Sequence, residues 1–254
     1  MTDCECLLSP KPAANGPMTE LASTATGDDL RAQIRKFVFD HFLEHAAPPV
    51  VEQLMTAFSL PRDGTVEVLR DLEKARHIAL VRGSARILMA FPFSAVATPF
   101  GVTVGDRHYF ANCAWDAVAF HAMLDADVRV NSFCHHCAGP IEIELTHGKA
   151  SRVEPAETIV YLGLRPTRWW DDIVTTCSNT MVFFASPNHR DASDFTAPAD
   201  ASASLTPDEV HALSIPIYSR KFALDYARPS REALLAHFAT IGLTGPYWQL
   251  RGSR

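Results

Sequence analysis

Apolar residues Leu30, Ile34, Phe37, Val38 and Phe42 recur every three to four positions, which predicts a first helix with one face turned inward. Pro48 and Pro49 end that stretch. The pattern resumes as a second helix over 50–58 and a third over 65–75, the latter with Val66, Leu69 and Leu72 inward, and 60–64 between them reads as a turn. Two short apolar runs, 77–81 and 85–89, flank Gly83-Ser84 and read as a hairpin. Three helices followed by a hairpin suggest a winged-helix-like module.

The pattern then shifts to strand length. Candidate strands fall at 101–104, 107–110, 128–132, 141–145 and 159–164, with a helix expected over 114–124. Further on, Thr206-Pro207-Asp208-Glu209 has the form of a capping box with proline in the first turn. Leu234, Leu235, Phe238 and Ile241 mark an amphipathic helix near the C-terminus. The expected fold is therefore α+β: a winged-helix-like helical module, then a mixed β-sheet domain with flanking helices. The corresponding divisions are a disordered leader at 1–28, the helical module at 29–91, a thiol and carboxylate domain at 92–191, and a linker with a C-terminal helical extension at 192–254.

Composition narrows the function. The chain has 254 residues, 47% of them hydrophobic and 20% charged, so a substantial core can form without disulfide staples. A net charge of −6 makes nucleic acid an unexpected partner. The third helix carries Arg70, Lys74 and Arg76 but also Glu67, Asp71 and Glu73, which reads as a solvated face. Asp3 and Glu5 stand where a secretory signal would be basic, and no apolar run reaches membrane-spanning length. A soluble, cytoplasmic protein with reduced thiols is expected. No phosphate-cradling glycine loop and no internal repeat is present.

The six cysteines lie at Cys4, Cys6, Cys113, Cys134, Cys137 and Cys177. Cys4 and Cys6 sit in the polar leader, where incidental exposed thiols are as good an explanation as metal binding. Cys113 and Asp116 are three residues apart, so a helix beginning at Cys113 would put both on one face. A helix N-terminus would favour the thiolate, and a partly desolvated Asp116 beside Trp115 could relay a proton. Spacing alone fits a packing cysteine and a solvated aspartate at least as well. Cys134-His135-His136-Cys137 is a single C-x-x-C, short of the two pairs that a structural zinc site normally shows. His135, His136, Cys113 or Cys177 could complete it. Cys177, before the apolar run 181–186, is by itself weak evidence of chemistry.

Four features in order carry a resemblance: the helical start, Cys113 with Asp116, Ser132-Phe133-Cys134 followed by Pro140, and a cysteine ahead of Phe183-Phe184-Ala185-Ser186. Over about residues 30–190 the chain resembles the organomercurial (alkylmercury) lyase family. The resemblance implies protonolysis of a carbon–mercury bond in mercury detoxification and resistance. Cys113 and Cys177 would bind mercury, and Asp116 would pass a proton to the leaving carbon. The products would be a hydrocarbon and Hg(II), the latter removed by cellular thiols or a mercuric reductase, with no organic cofactor. Cys134 matches a cysteine that is mainly structural in the family. In an ungapped match the second catalytic cysteine falls on Ser178, one residue after Cys177. In a regular segment that slip would aim the thiol elsewhere. Two other readings compete: a non-catalytic thiol-based metal binder or sensor using Cys113, Cys134, Cys137 and Cys177, and a winged-helix transcription regulator.

Overall fold

A computed structural model describes residues 27–195 and 197–250. Cys4, Cys6 and all but the last two positions of the expected leader lie outside them, and those last two open the first helix. Helices α1 (Gly27–His45), α2 (Val51–Phe58) and α3 (Arg62–Lys74) come first. Ile34, Val38 and Phe42 of α1 are fully buried, as the periodicity requires, while Leu30 and Phe37 sit at the edge of the core. Phe39 joins them, and the expected turn before α3 is shortened because the helix starts at Arg62.

The predicted hairpin is formed by β1 (Ile78–Leu80) and β2 (Ile87–Ala90), paired antiparallel and extended by a short third strand, β3 (Phe93–Ser94). A five-stranded sheet follows from β4 (Gly101–Val104), β5 (Arg107–Phe110), β6 (Val128–Phe133), β7 (Pro140–Thr146) and β8 (Lys149–Glu154), in the order β5-β4-β6-β7-β8. A third sheet places β9 (Ile159–Leu162) between β10 (Met181–Phe184) and β11 (Ala203–Leu205). The β-rich region thus takes the form of three sheets, and the pairings between their strands are antiparallel. Helix α4 (Ala114–Leu124) follows β5, and α5 (Ile173–Thr180) and α6 (Pro187–Asp191) flank β10. Helices α7 (Pro207–Tyr218) and α8 (Arg231–Thr240) follow, and a single 3-10 turn at Pro246–Trp248 comes after them. None of the described helices is long and apolar enough to cross a membrane.

Two features of the sequence had concealed elements. The exposed strand β8 reads Lys-Ala-Ser-Arg-Val-Glu, with too little apolar character to register as a strand. Residues 192–204, expected to be linker or surface loop, end in β11, which is held by backbone pairing to β9 and not by a side-chain pattern.

One apolar core runs through all of this. Phe93 is its hub: its ring stacks on Phe42 and meets Phe39, Tyr109 and Phe120 edge-on. The N-terminal helices are thereby joined to β5 and α4. Helix α4 is buried on nearly every side, as a sequence apolar all round demands. It packs chiefly against α7. Asp116 is the one acid in this helix, and it is carried into the core.

Candidate active site

Residues 111–113 leave β5 and turn into α4. Cys113 takes the extended N-cap position, and its Sγ accepts a hydrogen bond from the Asp116 backbone N–H at 3.3 Å. The cap places the thiol and the first-turn carboxylate on one side of the helix, as their spacing predicted. Cys113, Asp116 and Cys177 are all buried, and one ligand atom from each lies within 4.8 Å of the others. The Met181 Sδ lies 3.8 Å from the Cys113 Sγ.

The third member comes from α5. Asp172 caps that helix by accepting from Thr175 N–H at 3.1 Å, and Gly163 N–H holds its far end through the Thr180 carbonyl at 2.7 Å. Neighbouring positions on a helix differ by about 100° in direction. Cys177 consequently points into the protein, while Ser178 points outward and donates its hydroxyl to the Val174 carbonyl. The shifted cysteine, not the serine, faces Cys113.

The Asp116 carboxylate is held from both sides. Tyr218 on α7 donates its hydroxyl to Oδ1 at 2.5 Å, and Asn112 Nδ2 donates to Oδ2 at 3.0 Å. Asn112 is itself fixed by a second bond to the Pro92 carbonyl. Beyond Tyr218 lies Lys221, fully buried, its Nζ without a hydrogen-bond partner and 5.3 Å from the ring centres of Phe39, Tyr218 and Tyr226. The α4–α7 contact is locked next to the site, where Trp115 Nε1 donates to Ser214 Oγ at 2.8 Å.

Burial sets the protonation states. It raises the Asp116 pKa to about 6, against the lowering effect of the Tyr218 and Asn112 bonds. The Cys113 thiol was expected to be depressed by the helix N-terminus. Instead it stands well above its usual value, because burial, the neighbouring Cys177 and the Asp116 charge together outweigh the bond from Asp116 N–H. A hydrogen bond with Cys113 acts to lower Cys177, but burial and the Asp116 charge raise it overall. Both thiols therefore carry protons near neutrality, and the carboxyl titrates just below it.

The three groups line one cavity of about 450 Å³. Phe91, Trp169 and Trp170 give it aromatic walls, and Arg76, Arg228 and Arg231 add positive charge. A space of that size and apolarity suits a small organic ligand.

Cys134 and Cys137 are brought together elsewhere. Their sulfurs group with His189 on α6, within 4.8 Å of one another. Cys134 lies beside Ala185, whereas Cys113 lies beside Met181. Met181 and Ala185 are four residue steps apart along the extended chain, about 13 Å at roughly 3.3 Å per residue. A single site built from all four thiols is thus not what the fold makes. Tyr218, Asn112, Met181 and His189 were not singled out by the sequence; Asn112 adjoins Cys113, but no local pattern marks the others.

The alkylmercury lyase (MerB) family model matches residues 93–219, half of the chain. The chain belongs to the alkylmercury lyase family. All three clustered residues, with Asn112, Met181 and Tyr218, fall inside the matched stretch. An alkylmercury lyase of Bacillus cereus is 26% identical over 138 residues, which are 54% of this chain and 60% of that protein. One of Pseudomonas putida is 35% identical over 101 residues, 40% of this chain and 47% of that protein. The chain thus matches less than two thirds of the length of these relatives. The solved mercury-bound form of MerB2 is similar with a TM-score of 0.61 at 18% identity, covering 75% of this chain and 88% of that one. At that identity the likeness is one of fold.

Proposed function

We propose that the protein cleaves carbon–mercury bonds by protonolysis, with Cys113 and Cys177 as the mercury ligands and Asp116 as the proton carrier. The observation that carries this reading is the convergence of two thiols and one carboxyl on a single apolar cavity. Thiolate sulfur suits a soft metal, and a carboxyl with a pKa of about 6 can both accept and deliver a proton near neutrality.

The steps balance as follows. An organomercurial arrives as a neutral thiol adduct, and Cys113 displaces that thiol, its own proton leaving with it. Cys177 then bonds to the mercury and gives its proton to the Asp116 carboxylate. Asp116 passes this proton to the carbon as the carbon–mercury bond breaks, and the bonding electron pair leaves with the hydrocarbon. Hg(II) remains on two thiolates, and Asp116 is again ionised. Small thiols, or a thiol-bearing reductase, then take the ion by exchange. Neutral thiols are an advantage in this scheme, because Cys177 brings the proton that the carbon receives.

The test is methane release from methylmercury with excess small thiol, by reduced, purified protein. Release should be lost in Cys113→Ala, Asp116→Ala and Cys177→Ala. Mercury retained by the native chain without methane above a protein-free control would sink the lyase reading and leave a thiol-based binder.

A further inference from the structure

The Cys134–Cys137 turn takes no part in this chemistry, yet its backbone is arranged around sulfur. Ala138 N–H donates to the Cys134 carbonyl and Cys134 N–H to the Gly139 carbonyl, each at 2.8 Å, so the turn closes on itself. Ala138 reverses the chain with a φ of 57°. Gly139 leaves room for the second thiol: a Cβ there would stand 3.3 Å from the Cys137 Sγ. The Cys134 Sγ accepts a bond from Ala185 N–H at 3.3 Å.

The third member of the group comes from a different element. Ser186 caps α6 by accepting from His189 N–H at 3.2 Å, and this sets the ring with its Nδ1 3.4 Å from the Cys134 Sγ. An ion with bonds of ~2.3 Å to sulfur and ~2.0 Å to nitrogen holds tetrahedral ligand atoms roughly 3.5–3.8 Å apart. The Cys134–His189 separation of 3.4 Å is about 0.1 Å short of that range, and the Cys137 Sγ is within 4.8 Å of both. The ring of His136 is centred 5.4 Å from that of His189.

We propose that Cys134, Cys137 and His189 bind one Zn(II) ion, with His136 or water in the fourth position. Two thiolates and an imidazole match the ligand preference of zinc among divalent ions. The ion clips α6 to the turn between β6 and β7, a turn that His135 N–H also ties to β10 through the Phe183 carbonyl.

The experiment is competitive titration of chelator-treated, reduced full-length chain with Zn(II). It uses a background in which Cys4→Ser, Cys6→Ser, Cys113→Ala and Cys177→Ala silence the other thiols. One equivalent should bind, and Co(II) in its place should show thiolate-to-metal charge transfer. Cys137 is exposed, so Cys137→Ser leaves the core intact. That change and His189→Ala should each weaken binding by more than the roughly 10- to 100-fold cost of losing an outer-shell partner. Absence of Zn(II) binding in the background chain, or affinity unchanged by both substitutions, overturns the proposal. Neither readout depends on hydrocarbon release, so this site and the lyase chemistry stand or fall separately.

Discussion

The Tyr218→Phe substitution tests the proton step directly. It removes one hydroxyl, which donates to the buried Asp116 carboxylate at 2.5 Å and leaves a ring of the same shape against Trp115. A hydrogen bond to a charged group contributes about 1.5–3 kcal/mol, equivalent to about 1–2 pKa units. The bond favours the ionised form, so its loss moves Asp116 upward from about 6, to about 7–8 on that scale. In the proposed chemistry Asp116 must be ionised to take the proton of Cys177. At pH 7 the ionised fraction falls from roughly nine-tenths to between one half and one tenth, a decrease of roughly 2- to 10-fold in rate. Raising the pH should restore the native rate. The assay is the pH dependence of benzene release from phenylmercury under single-turnover conditions, on a variant whose circular dichroism matches the native chain. An acidic limb that stays in place would refute the assignment of Asp116 as the group that receives the proton, or of Tyr218 as the residue that tunes it.

Three further outcomes are expected. Because the folded Asp116 carboxyl titrates above its ordinary value of 3.8, its stabilising contribution is complete below that pH and is lost as pH rises through about 6. Asp116→Asn should therefore gain stability relative to the native chain between pH 4 and 7, on the order of 3 kcal/mol, as read by urea denaturation across that range. Cys177→Ser should abolish hydrocarbon release while Ser178→Ala leaves it within about twofold, since the serine faces away from the site and loses only a local helix bond. Phe93→Ala should destabilise by about 3–5 kcal/mol in the same denaturation assay, since it removes the ring on which Phe39, Phe42, Tyr109 and Phe120 converge.

How much of this could be read in advance varied with how local the cause was. The bounds of α4 and the cap at Cys113 follow from a strand ending, a small polar step and an apolar run, all contiguous in sequence. The Thr206 capping box was equally legible, and both halves of it form. Cys177 was harder. Its helix reads Ile-Val-Thr-Thr-Cys-Ser-Asn-Thr, rich in β-branched residues, and is stabilised by the Asp172 cap and the packing behind it. Only with that helix in view does the one-residue offset from the family pattern place the thiol toward Cys113. Tyr218 and His189 are invisible to any local pattern, because each owes its role to a contact made far along the chain, 102 residues from Asp116 in one case and 55 from Cys134 in the other. The thiol protonation was misjudged for a related reason: the helix terminus is a local feature, whereas the depth that overrides it is a property of the whole core.

That depth has a consequence for what can reach the two sulfurs. Under the proposed chemistry, an aquated doubly charged ion would have to shed its water before entering, and stripping an ion of its hydration costs on the order of tens of kcal/mol. A neutral adduct of an organic group, a metal and a thiol faces no such toll and partitions into aromatic surroundings readily. The cavity thus sorts by hydration before it sorts by bond type. In the proposed reaction the same barrier applies in reverse to the inorganic product, which would depart only under the cover of fresh sulfur ligands, so that the supply of thiol would set the pace at which the site is emptied.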